Sequence, residues 1–301
     1  MAHFLNPKND LTFKRVFGEH KHLCMSLINS MLPLESPIVS LEYQSGELIP
    51  ELTDVLRKTI VDVRCTDENG RQFIVEMQML WSESFKSRVL LNASKAYVMQ
   101  LDKSESFELL QPVYALNFVD ATFEKSPEMA NEYYHYYKIV NIKNTDKQIK
   151  GLEFLFVELP KFKPQNHAEK KLHELWIRFL TEINENTEEA PRELLDNELT
   201  REAIGYLEKA AYTKAQLEAY DRWKIAAMTE RSALGDAKKE GMLEGIQKGI
   251  KEGIKEGRKE GIKEGITATA LNMLKDGMAI ENICKYTGLS KQQIEKLTTD
   301  L

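Results

Sequence analysis

The chain has 301 residues, of which 42% are hydrophobic and 29% charged, proportions typical of a globular protein with a sizeable core. A formal net charge of −6 gives no general affinity for polyanions, so contact with DNA would need local basic groups. Three scattered cysteines and no long apolar run argue against a disulfide framework, a zinc site and a membrane span, so we expect a cytoplasmic protein.

The first predicted element is an amphipathic helix. Phe13, Val16 and Phe17 recur at helical spacing and predict one buried face. Asp10 and Lys14 stand four residues apart, so they meet on the same side of a helix. From the residues alone, this pair is interpreted as an ordinary helix ion pair near an N-terminus.

A β-hairpin is predicted next, after a first strand over residues 37–43. Two β-branched runs, residues 58–65 and 72–79, flank a turn at 67–70 that contains Asn-Gly, a strong hairpin signal. Strand alternation assigns to one apolar face Val61, Val63, Cys65, Phe73, Val75, Met77 and Met79. Asp62, Glu76 and Gln78 then become neighbours on the opposite, polar face.

Two carboxylates on neighbouring strands form a possible metal site. They offer the hard oxygen ligands that Mg²⁺ accepts while it keeps several waters. Such an ion can polarise a phosphodiester and lower the pKa of a bound water. The alternative interpretation is that Asp62 and Glu76 only decorate an exposed hairpin face.

The hairpin resembles the active-site hairpin of PD-(D/E)xK nucleases. Asp62, thirteen further residues and then Glu76-x-Gln78 carry that resemblance. Val61-Asp62-Val63 with Glu76-Met77-Gln78 is similar to the recombination-promoting nuclease/putative transposase family, which carries Gln where most relatives carry Lys. The resemblance implies an α/β fold, with a restriction-endonuclease-like core, a mixed sheet and an all-α C-terminal extension.

The same resemblance implies the chemistry. It implies a DNA endonuclease that uses Mg²⁺, with Mn²⁺ as a substitute, and promotes recombination or serves a mobile element. Asp62 and Glu76 would be catalytic metal ligands, and Gln78 would orient water or the scissile phosphate, although a neutral amide cannot supply the charge of a lysine. The opening Asp10-x-x-Phe-Lys14 also resembles this family, which makes Asp10 and Lys14 accessory candidates.

A helix is predicted over residues 82–102, and it carries basic side chains. Arg88 matches the spacing Phe85-x-x-Arg88 that resembles the family's next motif, and its guanidinium suits a DNA phosphate or a transition state. The alternative for Arg88 is a salt bridge to a nearby carboxylate. Lys86 in this helix and Lys58 before the hairpin are further candidates for DNA binding, or are simply solvated.

Three more strands and a helical C-terminal part complete the prediction. Strands are predicted at 113–119, 136–142 and 152–159, and the helix before the first of them favours a strand–helix–strand crossover. We predict four regions: the core at 1–165, a helical extension at 166–235, a glycine-containing helix at 236–266 and a tail at 267–301.

Glycine recurs at every fourth position from Gly241 to Gly265, and we call these seven residues the glycine ladder. Four-residue steps spiral around a helix and favour right-handed wrapping by a partner. Seven interior glycines cost about 6–7 kcal/mol relative to alanine, so an isolated ladder should be a frayed helix. The ladder is interpreted as a self-association helix that gives a homo-oligomer, or else as a spacer.

The tail predicts three short helices in a helix-turn-helix-like arrangement. Ser290 is a suitable N-cap for the last helix, whose Lys291 and Gln292 could meet a major groove. Acidic and basic residues balance in this tail, so packing or oligomerisation is an equal alternative. For the whole chain, the alternative function is a catalytically weak or inactive DNA- or protein-binding module that assembles through its C-terminal helices.

Overall fold

The computed structural model describes residues 4–48, 59–101, 106–164 and 171–299. Lys58 and the predicted end of a helix at Asp102 lie outside these ranges. The chain divides into two compact units, Met1–Met228 and Thr229–Leu301. The predicted boundaries within residues 166–301 stay predictions.

Helices lie near the start of the chain, once among the strands, and throughout the described residues from Leu172 onward. They are α1 (Asp10–Phe13), α2 (Lys21–Met31), α3 (Glu83–Val98), α4 (Leu172–Glu182), α5 (Arg192–Asp196), α6 (Glu198–Gly205), α7 (Lys214–Lys275), α8 (Ile280–Thr287) and α9 (Lys291–Thr299). A π-helical turn, Lys14–Gly18, follows α1 directly. None of the helices in the described ranges has both the length and the apolar character that a membrane crossing requires.

The strands of the first unit form one large sheet and one small one. They are β1 (Leu41–Tyr43), β2 (Glu47–Leu48), β3 (Thr59–Ile60), β4 (Val63–Asp67), β5 (Gln72–Gln78), β6 (Val113–Val119), β7 (Tyr134–Asn141) and β8 (Asn144–Glu158). The large sheet has the order β1-β4-β5-β6-β8-β7, and β2 pairs with β3. The pairs β5–β6 and β6–β8 are parallel and the others antiparallel. This mixed sheet with a helical C-terminal part confirms the predicted α/β fold class.

Apolar side chains cover both faces of the large sheet. Phe73 and Val75 of β5 pack into the main core with side chains from α2 and α4. Ile74 points to the other face, where it packs with Phe85 and Val89 of α3. Because β5 and β6 are parallel neighbours joined by α3, the predicted strand–helix–strand crossover is confirmed. It brings the carboxyl ends of both strands to one edge of the sheet.

The predicted strand over residues 58–65 is interrupted at Asp62. Its first part, β3, pairs with β2, whereas its second part, β4, pairs with β1 and β5. Asp62 lies in the bend between the two parts, and this bend resets the alternation of side chains. Val61 therefore packs beside Ile74, while Val63 faces the main core. The prediction that Val61 and Val63 share one face was wrong.

Gly46 allows the close approach that leads into this bend. The backbone N–H of Val61 donates to the Gly46 carbonyl at 3.0 Å, and a Cβ on Gly46 would lie 2.7 Å from the Val61 oxygen. We predict that Gly46→Ala lowers the free energy of unfolding by about 1–3 kcal/mol, because the added methyl must push the Val61 backbone away. Urea denaturation measures this loss. Gly205→Ala is the matched control, since its Cβ would meet nothing within 4 Å; equal effects would contradict the prediction.

The glycine ladder lies within the continuous helix α7 and is not frayed. Helical residues on both sides remove the cost of nucleation, so the ladder only has to propagate an existing helix. Isoleucines that follow the ladder glycines, such as Ile246, Ile250 and Ile254, are exposed. An alanine Cβ at any ladder position would meet nothing within 4 Å in this chain.

The tail forms the three helical segments that the sequence predicts. Ala270 of α7, Ile283 of α8 and Ile294 of α9 make a small buried cluster. The Ser290 hydroxyl accepts from the Gln293 backbone N–H at 3.3 Å, and the Gln293 side chain accepts from the Ser290 N–H at 2.9 Å. This reciprocal pair is a capping box, so the predicted N-cap is confirmed.

Candidate active site

The hairpin brings Asp62 and Glu76 together at the carboxyl end of β5. The last ladder pair between β4 and β5 is Val63 with Val75; Asp62 lies in the bend just before β4, and its charge acts on Glu76, the residue after Val75. Asp67 holds the turn: its carboxylate accepts from the Arg71 backbone N–H at 2.8 Å, and Gly70 adopts a φ of +79°. The two acidic residues are therefore placed by the turn and the register of one hairpin.

The Asp62 carboxylate has two kinds of neighbour. Its Oδ2 accepts from the backbone N–H of Met77 at 2.8 Å, beyond the last pair of the β4–β5 ladder. Burial raises the pKa of Asp62 to about 6; this hydrogen bond and the positive charge of Lys14 oppose the increase, whereas the carboxyl of Asp10 adds to it. Asp62 therefore sits between one negative and one positive side chain from the N-terminal helix.

Glu76 is more deeply enclosed than Asp62. Its residue surface is only 6% exposed, and its Oε1 accepts from Asn92 Nδ2 of α3 at 3.0 Å. Burial raises the pKa of Glu76 to about 7, the charge of Asp62 adds to the increase, and Asn92 and Arg88 oppose it. The charge of Asp62 thus destabilises the charged form of Glu76, as a neighbouring acidic group does.

The N-terminal helix contributes Asp10 and Lys14 to the same place. The side chain of Asn9 accepts from the Leu11 N–H and caps α1, while Phe13 and Phe17 are fully buried and anchor the helix. Lys14 Nζ lies 2.6 Å from Asp10 Oδ1 and 3.8 Å from Asp62 Oδ1. The helix ion pair expected from the spacing is present, and it also reaches the hairpin.

Gln78 and Arg88 are bonded to each other. Gln78 Oε1 accepts from Arg88 Nη2 at 2.6 Å, and Gln78 Nε2 donates to the Leu80 carbonyl at 2.7 Å. The Arg88 guanidinium also lies 4.9 Å from the centre of the Phe85 ring. The alternative considered for Arg88 was a carboxylate partner, but its hydrogen bond goes to the Gln78 amide.

A comparison with protein-family models decides the family. The model of the PD-(D/E)XK nuclease family transposases matches residues 7–237, most of the chain and all of the hairpin. The chain belongs to this family. Comparisons with curated proteins and with solved structures returned no match. The resemblance seen in the sequence is thereby confirmed, and this nuclease family supports a phosphodiester hydrolase or mobile-element role.

The donor set of this PD-(D/E)XK chain fits a magnesium ion. Asp62 and Glu76 supply hard carboxylate oxygens, and they lie close enough for the charge of Asp62 to raise the pKa of Glu76. Among the residues that the structure describes, no group of three or more His, Cys, Asp or Glu side chains is arranged as a metal cage. Proteins nevertheless commonly bind Mg²⁺ through one or two carboxylates, and the ion keeps several water ligands.

The remaining predicted DNA-binding residues are Lys86, Lys291, Gln292 and Lys58. Lys86 Nζ lies 5.3 Å from the Trp81 ring and 5.1 Å from the Phe123 ring, a cation–π arrangement. Lys291 and Gln292 are exposed in the first turn of α9, in the second compact unit. Lys58 lies outside the described residues.

The sequence interpretation missed Asn92 and the ion pair of Lys8 with Asp120. Asn92 is 1% exposed, and its Oδ1 has no hydrogen-bond partner. A buried Asn on the apolar stripe of α3 was the one available signal, since burial of an amide requires a polar partner. Lys8 Nζ lies 2.9 Å from Asp120 Oδ2, and the Asp120 N–H donates to the Gln78 carbonyl; no sequence signal joins these distant positions.

Proposed function

We propose that this chain is a Mg²⁺-dependent DNA endonuclease that hydrolyses phosphodiester bonds in recombination or in the life of a mobile element. The single observation that carries the proposal is the pairing of Asp62 with Glu76 at the end of β5, in a chain of the PD-(D/E)XK nuclease family. A buried Glu76 whose pKa is raised by the charge of a half-buried Asp62 has little structural use, because an apolar pair would be more stable. Binding of a divalent cation explains why these two carboxyl groups lie together.

Each residue of the site has a separate role in the proposed hydrolysis. In the reaction, a water oxygen bonds to phosphorus, the bond from phosphorus to one sugar oxygen breaks, and that oxygen leaves with a proton. Asp62 and Glu76 would hold the ion; a bound Mg²⁺ supplies charge stabilisation at the phosphate and lowers the pKa of water. Asn92 orients Glu76 through its hydrogen bond, and the Met77 N–H orients Asp62.

Basic side chains near the hairpin suit the DNA backbone. Arg88 carries a guanidinium that matches phosphate oxygens, and Lys86 adds a second exposed cation on α3. Asp10 would act as an accessory acidic group through its contact with Asp62. We also propose a cytoplasmic location, which the three free cysteines support.

Plasmid cleavage tests the proposed function. With Mg²⁺ or Mn²⁺, we expect the wild type to cut supercoiled DNA and Asp62→Ala or Glu76→Ala to be at least about 10³-fold slower, since the ion contributes several kcal/mol to the transition state. Glu42→Ala is the matched control, because it removes an exposed carboxylate on the neighbouring strand β1. Cleavage that survives both site substitutions would count against the proposal, and binding without cleavage by the wild type would favour the inactive binding module.

We further propose that α7 pairs with a second copy of the chain along the glycine ladder. The ladder leaves a groove without side chains beside a row of exposed isoleucines. Lys and Glu alternate along the same helix, as in Glu252, Lys255, Glu256 and Lys259, so two identical surfaces can place opposite charges against each other. This supports a homo-oligomer.

A further inference from the structure

Gln78, the last residue of the Asp62…Glu76-x-Gln78 pattern, brings no charge to this site. Gln78 is neutral, and both ends of its amide are occupied, by Arg88 and by the Leu80 carbonyl. Releasing the amide to bind a phosphate or a water would break two good hydrogen bonds. Gln78 is therefore placed to fix Arg88 and the chain after β5, and the charge for the phosphate must come from another residue.

Lys14 lies where such a charge would be useful. Its ammonium contacts the Asp10 carboxylate at 2.6 Å and the Asp62 carboxylate at 3.8 Å, so it faces Asp62, one of the two residues proposed to hold the ion. The side chain is 38% exposed, which leaves the ammonium accessible to a substrate. Arg88, by contrast, is held by Gln78 and lies against the Phe85 ring.

The backbone around Lys14 has an unusual form. Lys14 begins a π-helical turn, a rare geometry that occurs frequently at functional sites. The turn ends at Gly18, where a Cβ would lie 3.7 Å from the Val63 side chain. Phe13 and Phe17 are fully buried on either side of Lys14. The turn thus packs against the residue that follows Asp62 and fixes the origin of the Lys14 side chain.

We propose that Lys14 is the cationic catalytic residue of this site and supplies from the N-terminal helix the positive charge that position 78 lacks. Its positive charge stabilises the negative charge that develops on the phosphate during hydrolysis. This inference rests on the proposed nuclease function.

The test measures kcat and KM for plasmid cleavage by the full chain carrying Lys14→Met. We expect kcat to fall by about 10²-fold, as for the loss of one preorganised group at a developing charge, with KM changed less than about threefold. Lys21→Met is the matched control, since it breaks another exposed ion pair of the N-terminal segment, with Glu42 at 2.7 Å. Circular dichroism checks that each variant is folded.

A second substitution tests whether a positive charge at position 78 can replace the charge of Lys14. Lys14→Met combined with Gln78→Lys should recover at least about tenfold in kcat. Mn²⁺ affinity, measured by titration without DNA, should stay equal or increase in Lys14→Met, because a positive neighbour of Asp62 has been removed. A purely structural role for Lys14 would instead weaken Mn²⁺ binding.

The outcomes separate this inference from the proposed function. If Asp62→Ala cuts as well as the wild type, or the wild type does not cut, the nuclease function fails and the role of Lys14 falls with it. If Asp62→Ala is inactive while Lys14→Met matches Lys21→Met, only the role of Lys14 is overturned. Failure of the double variant to recover, or Mn²⁺ binding weakened more than tenfold by Lys14→Met, also overturns that role.

Discussion

Glu76→Gln is expected to abolish DNA cleavage and, at the same time, to stabilise the metal-free protein at pH 7.5. Glu76 is buried, and burial together with the charge of Asp62 raises its pKa to about 7. At pH 7.5 the folded protein must carry this unfavourable charge, which glutamine removes while it keeps the oxygen that accepts from Asn92. We expect a gain of about 1–3 kcal/mol in the free energy of unfolding and a loss of at least about 10³-fold in cleavage.

The pH dependence of the free energy of unfolding shows in which direction Glu76→Gln acts. Between the ordinary pKa of 4.5 and about 7, the folded state binds more protons at Glu76 than the unfolded state does. The free energy of unfolding therefore decreases as pH rises through this range. Asp62, with its pKa raised to about 6, acts in the same direction. The advantage of Glu76→Gln should be nearly absent at pH 4.5 and largest above pH 7.

Urea denaturation at pH 4.5 and pH 8, in EDTA, measures the effect. Glu42→Gln is the control, because it neutralises an exposed carboxylate of β1. Added Mg²⁺ should stabilise the wild type by about 2.7 kcal/mol when its free concentration is about 100 times Kd, and should leave Glu76→Gln unchanged. A Glu76→Gln protein that is less stable than the wild type at pH 8 would show that the carboxylate is not under electrostatic strain.

Much of the core could be predicted because its signals are local. The turn at Gly70 and the β-branched runs beside it indicate a hairpin, and the helical spacing of Phe85 and Val89 indicates α3. The turn also fixes the pairing of the two strands, so the sequence predicts that Asp62 and Glu76 lie close together. Their roles in catalysis stay predictions.

The rest of the site depends on contacts that no local pattern encodes. The sequence predicts that Lys14 and Asp10 form an ion pair within a helix. It does not predict that the π-helical turn packs against Val63, and this packing brings the pair to Asp62. The bend at Asp62 lies where the chain passes from pairing with β2 to pairing with β5. Asn92 is one polar residue on a buried stripe, and its partner is set by how α3 lies on the sheet.

Replacement of all seven ladder glycines by alanine is expected to stabilise the ladder helix and to abolish self-association. Each change favours the helical state by about 0.8–1 kcal/mol, or about 6–7 kcal/mol together, and no alanine Cβ would meet another atom of this chain within 4 Å. A second helix, however, could no longer approach the ladder backbone, because the added methyl groups would fill the groove.

Amide hydrogen exchange of residues 241–265 and light scattering of the full chain measure the two effects. Exchange should slow in the alanine variant, and its mass should fall to that of a monomer. Gly235→Ala, a helical glycine of α7 outside the ladder with open space around it, should leave the mass unchanged. An alanine variant that keeps the mass of the wild-type oligomer would show that close backbone approach does not hold the copies together, and a monomeric wild type would remove the pairing of α7 altogether.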